Sequence, residues 1–427
     1  MKLDNLILKN TTAYIDGKFI LCDVHIIDHK IFEIGNNLKG NNIIDLEGNL
    51  LTPSFIDAHV HLREPGFEHK EDIKTGSLSA IKGGYSHIMC MPNTNPVIDT
   101  VDKVLDFNKR VEEKSYCHID TFASISIDQL GNKLVDIDSI SKLKIAGFSD
   151  DGHGVQNDEL MKQSMIKVKE VDSILSVHCE DTDELGIEMG SMNLGNKSLE
   201  FGEIGINNAS EYKMIKRDLE LLKDINCRYH VCHISTSESL ELIKKAKLDR
   251  LDVTCEVTPH HLILCDDDIT KLDTNYKMNP PLRSKNDLDA IIKGLNEGFI
   301  DMIATDHAPH SKSEKARKFK DAPFGIIGLD MAFSLLYTKL VLTKKVKLKT
   351  ILDCMTINPA NRFRINDYGI KVGNDVNLCV IDLEKEVIFT ENNIGSKASN
   401  SPFLDMPLIG SIQMTLTKNK VYDWRDK

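Results

Sequence analysis

The two ends of the chain share a pattern of short stretches in which hydrophobic and polar residues alternate. From Leu3 to about Ile44, the stretches NLILKN, AYIDGKFILCDVHIID and KIFEIG are separated by Asp-Gly and Gly-Asn pairs, which predicts antiparallel hairpins. The stretches NLCVIDLEKEVIF and SIQMTLTKNKVYDW repeat this pattern near the C-terminus. We therefore expect residues 1–52 and 363–427 to form one small composite β-sandwich domain.

Between the termini, apolar runs of about six residues alternate with longer helical patterns, which is typical of a parallel sheet wrapped by helices. The eight runs are SFIDAHV, SHIMCMP, HIDTFASI, KIAGFSD, SILSVHC, RYHVCHI, DVTCEVT and DMIATD. The clearest helical patterns are Asp99–Glu113, Asp158–Val171, Ala209–Ile225, Ser237–Ala246 and Asn286–Asn296. Eight such βα units predict an α/β fold, a (β/α)8 TIM barrel formed by residues 53–362.

Residue types that bind metals recur where the predicted strands end. His59 and His61 lie two residues apart on the first strand, so both imidazoles project to the same side. Other strands end at His178, His233, Asp306 and the pair Asp150–Asp151. Active sites of such barrels assemble at the carboxyl ends of the strands, so these residues predict one site.

Four imidazoles and two carboxylates exceed the needs of one catalytic Zn²⁺, which keeps an open coordination position. The ligand count therefore favours two metals bridged by one carboxylate, although spacing alone does not choose between Asp150 and Asp151. Two such ions share and acidify a water and polarise a carbonyl oxygen. The implied chemistry is metal-assisted hydrolysis.

A second group of residues suits an anionic or cyclic polar ligand: Arg63, Asn93, Asn279 and His310. Arg63 lies two residues beyond His61, on the same side of the strand, and its guanidinium matches the geometry of a carboxylate. The lysine-rich stretch from Ala308 to Phe324 follows the last strand, and we expect it to lie over the site.

Composition restricts the function classes further. The net charge of −12 and the lack of a basic block argue against a nucleic-acid or membrane partner. The N-terminus lacks a signal-peptide pattern and the ten cysteines form no CxxC pairs, so we expect a cytoplasmic protein with reduced thiols. The remaining histidines are expected to be structural or solvated (His25, His29, His69, His87, His118, His230) or stay unassigned (His153, His260, His261).

The motifs HVHLREPG, MPNTNP, FSDDG, SVHCED, HVCHIS, TPHHL, MNPPLR and ATDHAPH together resemble those of the bacterial class I dihydroorotases of the amidohydrolase superfamily. This resemblance runs from about Thr52 to Arg362, and the composite β domain is also similar. Related hydantoinases usually carry a carboxylated lysine at the end of the fourth strand, in a pattern like GFK. This chain has no lysine in the segment 147–151, which favours the dihydroorotases.

The resemblance implies a role for each candidate residue. His59 and His61 would bind the first of two Zn²⁺ ions, His178 and His233 the second, and Asp151 would bridge them. Asp306 would contact the first metal and act as general base and acid. The implied substrate contacts are His61, Arg63, Asn93, Asn279, His310 and the Phe324–Gly325 backbone.

The implied activity is the reversible hydrolysis of (S)-dihydroorotate to N-carbamoyl-L-aspartate, the third step of pyrimidine biosynthesis, with a metal-bridging hydroxide as nucleophile. One alternative is a hydantoinase, dihydropyrimidinase or allantoinase. Another is a non-catalytic barrel subunit of an aspartate transcarbamoylase complex, which would require the loss of metal ligands. Beyond the small-molecule substrate, a homodimer and association with the transcarbamoylase stay open.

Overall fold

Eight parallel strands form a nearly closed barrel in the computed structural model, which describes residues 5–186, 188–417 and 420–425. Barrel strands 1 to 8 are Phe55–Val60, Tyr85–Cys90, His118–Ala123, Gly147–Phe148, Ile174–Val177, Arg228–Val231, Val253–Val257 and Met302–Ile303. A parallel bridge between Val60 and His307 brings strand 8 to strand 1. Each strand coincides with one predicted run, which confirms the barrel.

Helices cover the outside of the barrel. Those after strands 1 to 7 are Ile73–Lys82, Val101–Lys114, Ile137–Ile140, Asp158–Glu170, Ala209–Ile225, Ser237–Leu248 and Lys285–Asn296. Strand 8 is followed by the helices Ala332–Leu336, Tyr337–Val341 (a π-helix), Leu348–Met355 and Ile357–Arg362. Three shorter helices lie in loops: Asn196–Phe201, Pro259–Ile263 and Lys312–Lys315. Capping side chains fix several starts, because Thr100, Asn157, Thr236 and Ser284 accept backbone N–H bonds. Within the described residues, no helix has both the length and the apolar character needed to cross a bilayer.

Both termini contribute strands to a second sheet, as the sequence predicted. Its strands are Leu6–Ile15, Lys18–Ile27, Lys30–Gly35, Ile43–Asp45, Leu50–Pro53, Leu378–Ile388, Pro407–Thr417 and Lys420–Asp423. The first three form antiparallel hairpins, and Asp16 and Gly17 supply the positive φ angles (46° and 76°) that a tight hairpin turn requires. The predicted start at Leu3 and residues 418–419 of the stretch SIQMTLTKNKVYDW lie outside the described residues.

The remaining N-terminal strands differ from the expected run of hairpins. Ile43–Asp45 and Leu50–Pro53 both pair in parallel with Leu6–Ile15, which makes the sheet mixed. Leu50–Pro53 also pairs antiparallel with Leu378–Ile388, and this pairing joins the two ends of the chain. Turn signals report only neighbouring strands, so the two parallel pairings were not visible in the sequence, whereas the joining of the two ends was predicted. We propose the domain division 1–52, 53–362 and 363–427.

Separate apolar clusters occupy the terminal sheet, the layer between barrel and helices, and the barrel interior. The interior cluster consists of Ile56, Ala58, Met89, Met91, Phe122, Cys232, Met302, Ala304 and Ala360. These side chains fill the space below the carboxyl ends of the strands. The polar residues of the candidate site therefore lie on top of a packed apolar layer.

Phe55 is expected to be a main contributor to barrel stability. Its fully buried ring stacks on Phe333 and packs edge-on against Tyr85, with centroid distances of 5.5 Å in both cases. We expect Phe55→Ala to lower the free energy of unfolding by about 3–5 kcal/mol, because it leaves a cavity in the core. Urea unfolding checks this value against Phe32→Ala, which removes a ring that is 57% exposed. Equal losses in the two variants would contradict the expectation.

Candidate metal centre

The carboxyl ends of the barrel strands bring the predicted ligands together. Two groups of three share Asp151: one contains His59 and His61, and the other contains His178 and His233. Within each group the ligand atoms all lie within 4.8 Å of one another. Asp306 joins them, because its Oδ1 atom lies 3.0 Å from His61 Nε2 and 3.6 Å from His59 Nε2. The structure thus gathers all six predicted ligands.

Local backbone geometry positions several of these side chains. His59 and His61 lie at the end of barrel strand 1, where the Asp57 carboxylate accepts the His59 and Thr305 N–H groups and ties strand 1 to strand 8. His233 and Asp306 adopt positive φ angles of 31° and 48°, which non-glycine residues rarely do. Such backbone strain is concentrated at functional sites in proteins.

The two adjacent aspartates have different surroundings. Asp150 accepts hydrogen bonds from the Ile125 and Ser126 backbone and from the Ser126 hydroxyl, so its carboxylate holds a loop. The carboxylate of Asp151 instead lies 3.3 Å from His59 Nε2 and 3.5 Å from His61 Nε2. Of the pair that spacing could not separate, Asp151 is the one that faces the imidazoles.

The electrostatics of the cluster favour a bound cation. Burial raises the pKa of Asp151, but the neighbouring imidazoles of His59 and His233 bring it well below its ordinary value. Burial lowers the pKa of His59, yet Asp151 raises it well above the ordinary value. The Asp151 carboxylate therefore stays ionised and is stabilised by positive charge next to it. The same reasoning holds for Asp306, whose pKa is lowered despite its burial.

Two buried atoms of the cluster have no hydrogen-bond partner in the described part of the chain, namely His59 Nε2 and Asp151 Oδ1. They face each other at 3.3 Å, a separation that two ligands of one metal ion also have. Imidazole nitrogens and carboxylate oxygens form a ligand set that suits Zn²⁺ and similar divalent ions. The residues present thus fit a divalent metal centre.

Residues that the sequence reasoning missed surround the ligands. Glu256 on barrel strand 7 accepts hydrogen bonds from His59 Nδ1 (2.8 Å) and His230 Nε2 (3.1 Å). Burial raises the pKa of Glu256, but these two imidazoles lower it to about 2. Glu180 Oε2 lies 3.7 Å from His178 Nε2, and the buried Nε2 atom of His260 has no partner among the described residues. The sequence did carry one signal for Glu256, namely a carboxylate inside the otherwise apolar run DVTCEVT.

The predicted ligand-binding residues line the same end of the barrel. Arg63, which has a φ angle of 62°, donates from Nε to the Pro309 carbonyl oxygen and lies 3.3 Å from His310 Nε2 through Nη2. His310 Nε2 also lies 2.7 Å from the Phe324 carbonyl oxygen, so the two ends of the lysine-rich stretch meet here. Gly325 follows, and a side chain there would collide with Ala308.

The two predicted asparagines each contact a residue of the metal cluster or its surroundings. Asn93 Oδ1 accepts a hydrogen bond from His61 Nδ1 (3.0 Å), and Asn93 Nδ2 donates to Asp151 Oδ2 (3.3 Å). Asn279 Nδ2 donates to Glu180 Oε1 (2.8 Å). Both amides therefore lie beside the ligands, within reach of a molecule bound there.

The fold is shared with solved structures of hydantoinases and dihydropyrimidinases. An L-hydantoinase (dihydropyrimidinase) from Arthrobacter aurescens superposes with a TM-score of 0.88 at 24% identity, covering 100% of this chain and 97% of that one. A dihydropyrimidinase from Brevibacillus agri superposes with a TM-score of 0.85 at 21% identity, covering 98% and 94%. At such identities the likeness concerns the fold alone.

Sequence comparison is more specific. A family model described as dihydro-orotase-like matches residues 48–239. The chain is 41% identical over 408 residues to a dihydroorotase of Bacillus cereus, with 95% of each chain covered. It is 42% identical over 419 residues to a dihydroorotase of Staphylococcus epidermidis, covering 98% of this chain and 96% of that one. This chain belongs to the dihydroorotase family.

Proposed function

We propose that the site catalyses the reversible hydrolysis of the cyclic amide of (S)-dihydroorotate to N-carbamoyl-L-aspartate. The observation that carries this proposal is the position of Arg63 and His310 beside the metal ligands, at a distance of 3.3 Å from each other. Such a pair suits a small ring that bears a carboxylate. The reaction is a step of pyrimidine biosynthesis, and we expect it to take place in the cytoplasm.

His59, His61, His178, His233, Asp151 and Asp306 are the proposed ligands of two divalent cations, expected to be Zn²⁺. When bound, the cations acidify a water molecule and polarise the amide carbonyl. The protein contributes a rigid arrangement of ligands above a packed apolar layer. Glu256 is proposed as a positioning residue, because its bond to Nδ1 of His59 directs Nε2 of the same ring toward the cluster.

Arg63 is proposed to hold the substrate carboxylate. Its guanidinium is partly buried, and the bonds it forms to Pro309 and His310 in the described structure involve no carboxylate. A guanidinium matches a carboxylate through two parallel hydrogen bonds, so a ligand that carries a carboxylate suits this position. Asn93 and Asn279 are proposed to bind the polar edges of the ring. Fixing the ring in this way places the amide carbon beside the ligand cluster.

Asp306 is proposed as general base and then general acid. Its carboxylate is ionised, because its pKa lies below the ordinary value, and it sits 3.0 Å from His61 within the cluster. It accepts a proton from the attacking water and returns that proton to the ring nitrogen as the amide bond breaks. Both transfers use one carboxylate, so ring closure follows the same path in reverse.

The alternatives account less well for the site. A hydantoinase or dihydropyrimidinase shares the fold, but the fourth barrel strand leads to Asp151 rather than to a lysine. A non-catalytic subunit would require the loss of ligands, whereas all six are assembled. A homodimer and association with aspartate transcarbamoylase remain proposals for experiments on the purified chain.

We expect Asp306→Asn to reduce turnover of dihydroorotate by about 10²- to 10⁴-fold, because the amide neither accepts nor returns the proton. Metal content, measured by mass spectrometry of the purified variant, should stay close to that of the unmodified enzyme. Retention of full activity in a variant of confirmed sequence would eliminate Asp306 as the base.

Arg63→Ala should lower kcat/KM for dihydroorotate by about 10- to 100-fold, because a charge-assisted hydrogen bond is worth about 1.5–3 kcal/mol. Turnover of dihydrouracil, which lacks the carboxylate, serves as the internal control and should change little. Steady-state kinetics with both substrates measure the two changes. If both rates fell by the same factor, Arg63 would not be the carboxylate contact.

Glu256→Gln keeps the shape of the side chain and removes its charge. We expect metal affinity to fall by about 10- to 100-fold, the usual effect of losing such an outer partner. Competition with a fluorescent zinc chelator measures this change. Asp330→Asn is the matched control, since this buried carboxylate is bonded instead to Ser79 and Gly395. Equal affinity in the two variants would contradict the positioning role.

A further inference from the structure

Three potential ligands meet at the opposite end of the barrel, where strands 2 and 3 begin. His87 and His118 are direct partners in the parallel pairing of these strands, and Asp120 follows His118 by two residues. Residues two apart on a strand share a face, so all three side chains lie on the same side of the sheet. One ligand atom from each residue lies within 4.8 Å of the other two.

The distances within this group suit a metal ion. His118 Nε2 lies 3.2 Å from both oxygens of the Asp120 carboxylate, and His87 Nε2 lies 2.8 Å from the nearer one. Tetrahedral Zn²⁺, with bonds of about 2.0–2.2 Å, separates its ligand atoms by roughly 3.3–3.5 Å. The two imidazole rings stand edge to face at a centroid distance of 4.2 Å. A shift of about half an ångström at His87 would bring its distance to the Asp120 oxygen into the same range.

One side of this group of side chains is buried, and the other side is exposed to solvent. The His87 side chain is only 9% exposed and that of Asp120 16%, whereas His118 is 46% exposed. An ion thus has access from solvent, and a water molecule has room to complete the coordination. Lys144 is the competing cation, since its Nζ atom lies 3.5 Å from Asp120 Oδ1. Its side chain is 54% exposed, so it is free to move away.

We propose that His87, His118 and Asp120 form a second, non-catalytic site for a divalent transition metal at the foot of the barrel. Two nitrogens and one oxygen favour zinc-like ions over Mg²⁺ or Ca²⁺, which prefer oxygen ligands. From the sequence, His87 and His118 were expected to be structural or solvated, because of their positions at helix starts or inside strands. The bound ion would fasten strand 2 to strand 3 and stabilise the folded chain.

Zinc stoichiometry of the full chain tests the proposal. The protein is stripped with a chelator, reloaded with Zn²⁺, dialysed, and measured for zinc per chain by mass spectrometry. We expect the unmodified protein to hold one zinc ion more than His118→Gln and Asp120→Asn. His25→Gln is the matched control, since His25 lies in the terminal sheet and bonds to Asn5. Turnover of dihydroorotate by His118→Gln should equal that of the unmodified protein, which separates this site from the catalytic one.

A second measurement confirms the type of ligand. Co²⁺ replaces Zn²⁺ in the unmodified protein and in His118→Gln, and the difference between their visible spectra should show the bands of tetrahedral Co²⁺. Circular dichroism establishes that each variant is folded, and Asp120→Asn replaces His118→Gln if the latter is not. Equal zinc content in the unmodified protein and a folded variant would overturn the proposal and leave these residues as a hydrogen-bonded triad.

Discussion

The burial of three ionised carboxylates beside four imidazoles is the constraint on which the candidate site depends. Asp151, Asp306 and Glu256 all have lowered pKa values despite their burial, so each retains negative charge inside the barrel. Charge in such a place is tolerated only when it is paired and hydrogen-bonded. Protons on the imidazoles balance this charge, and the proposed divalent cations would take over that role when bound.

The barrel determines where these side chains meet. Parallel strands end at one rim, so ligands from five strands converge without any long loop to carry them. The apolar layer beneath excludes water from the lower side, and the stretch from His310 to Phe324 borders the upper side. Arg63 turns out of strand 1 with a positive φ angle and meets His310. The proposed carboxylate contact therefore lies beside the proposed metal ligands.

Most of the candidate site could be predicted from the sequence, because the alternation of strand and helix patterns indicates where each barrel strand ends. His59 and His61 were identified from their spacing and His178 and His233 from their positions at strand ends. Spacing left Asp150 and Asp151 open, and the choice of Asp151 came from the family resemblance; in the structure the Asp151 carboxylate is the one that faces the imidazoles. Glu256 was missed because its strand is not paired with barrel strand 1, and it contacts His59 across the barrel. His87 and His118 come together by strand register, which a single sequence does not display.

Consumption of dihydroorotate, followed by ultraviolet absorbance, tests the central claim most directly. The purified enzyme, its chelator-treated form and that form reloaded with zinc are compared, with dihydrouracil as a second substrate. We expect turnover of dihydroorotate to disappear with the metal and return with zinc, with little turnover of dihydrouracil. Absence of turnover in the zinc-loaded enzyme, or equal turnover of the two substrates, would contradict a metal-dependent site selective for a carboxylate-bearing ring.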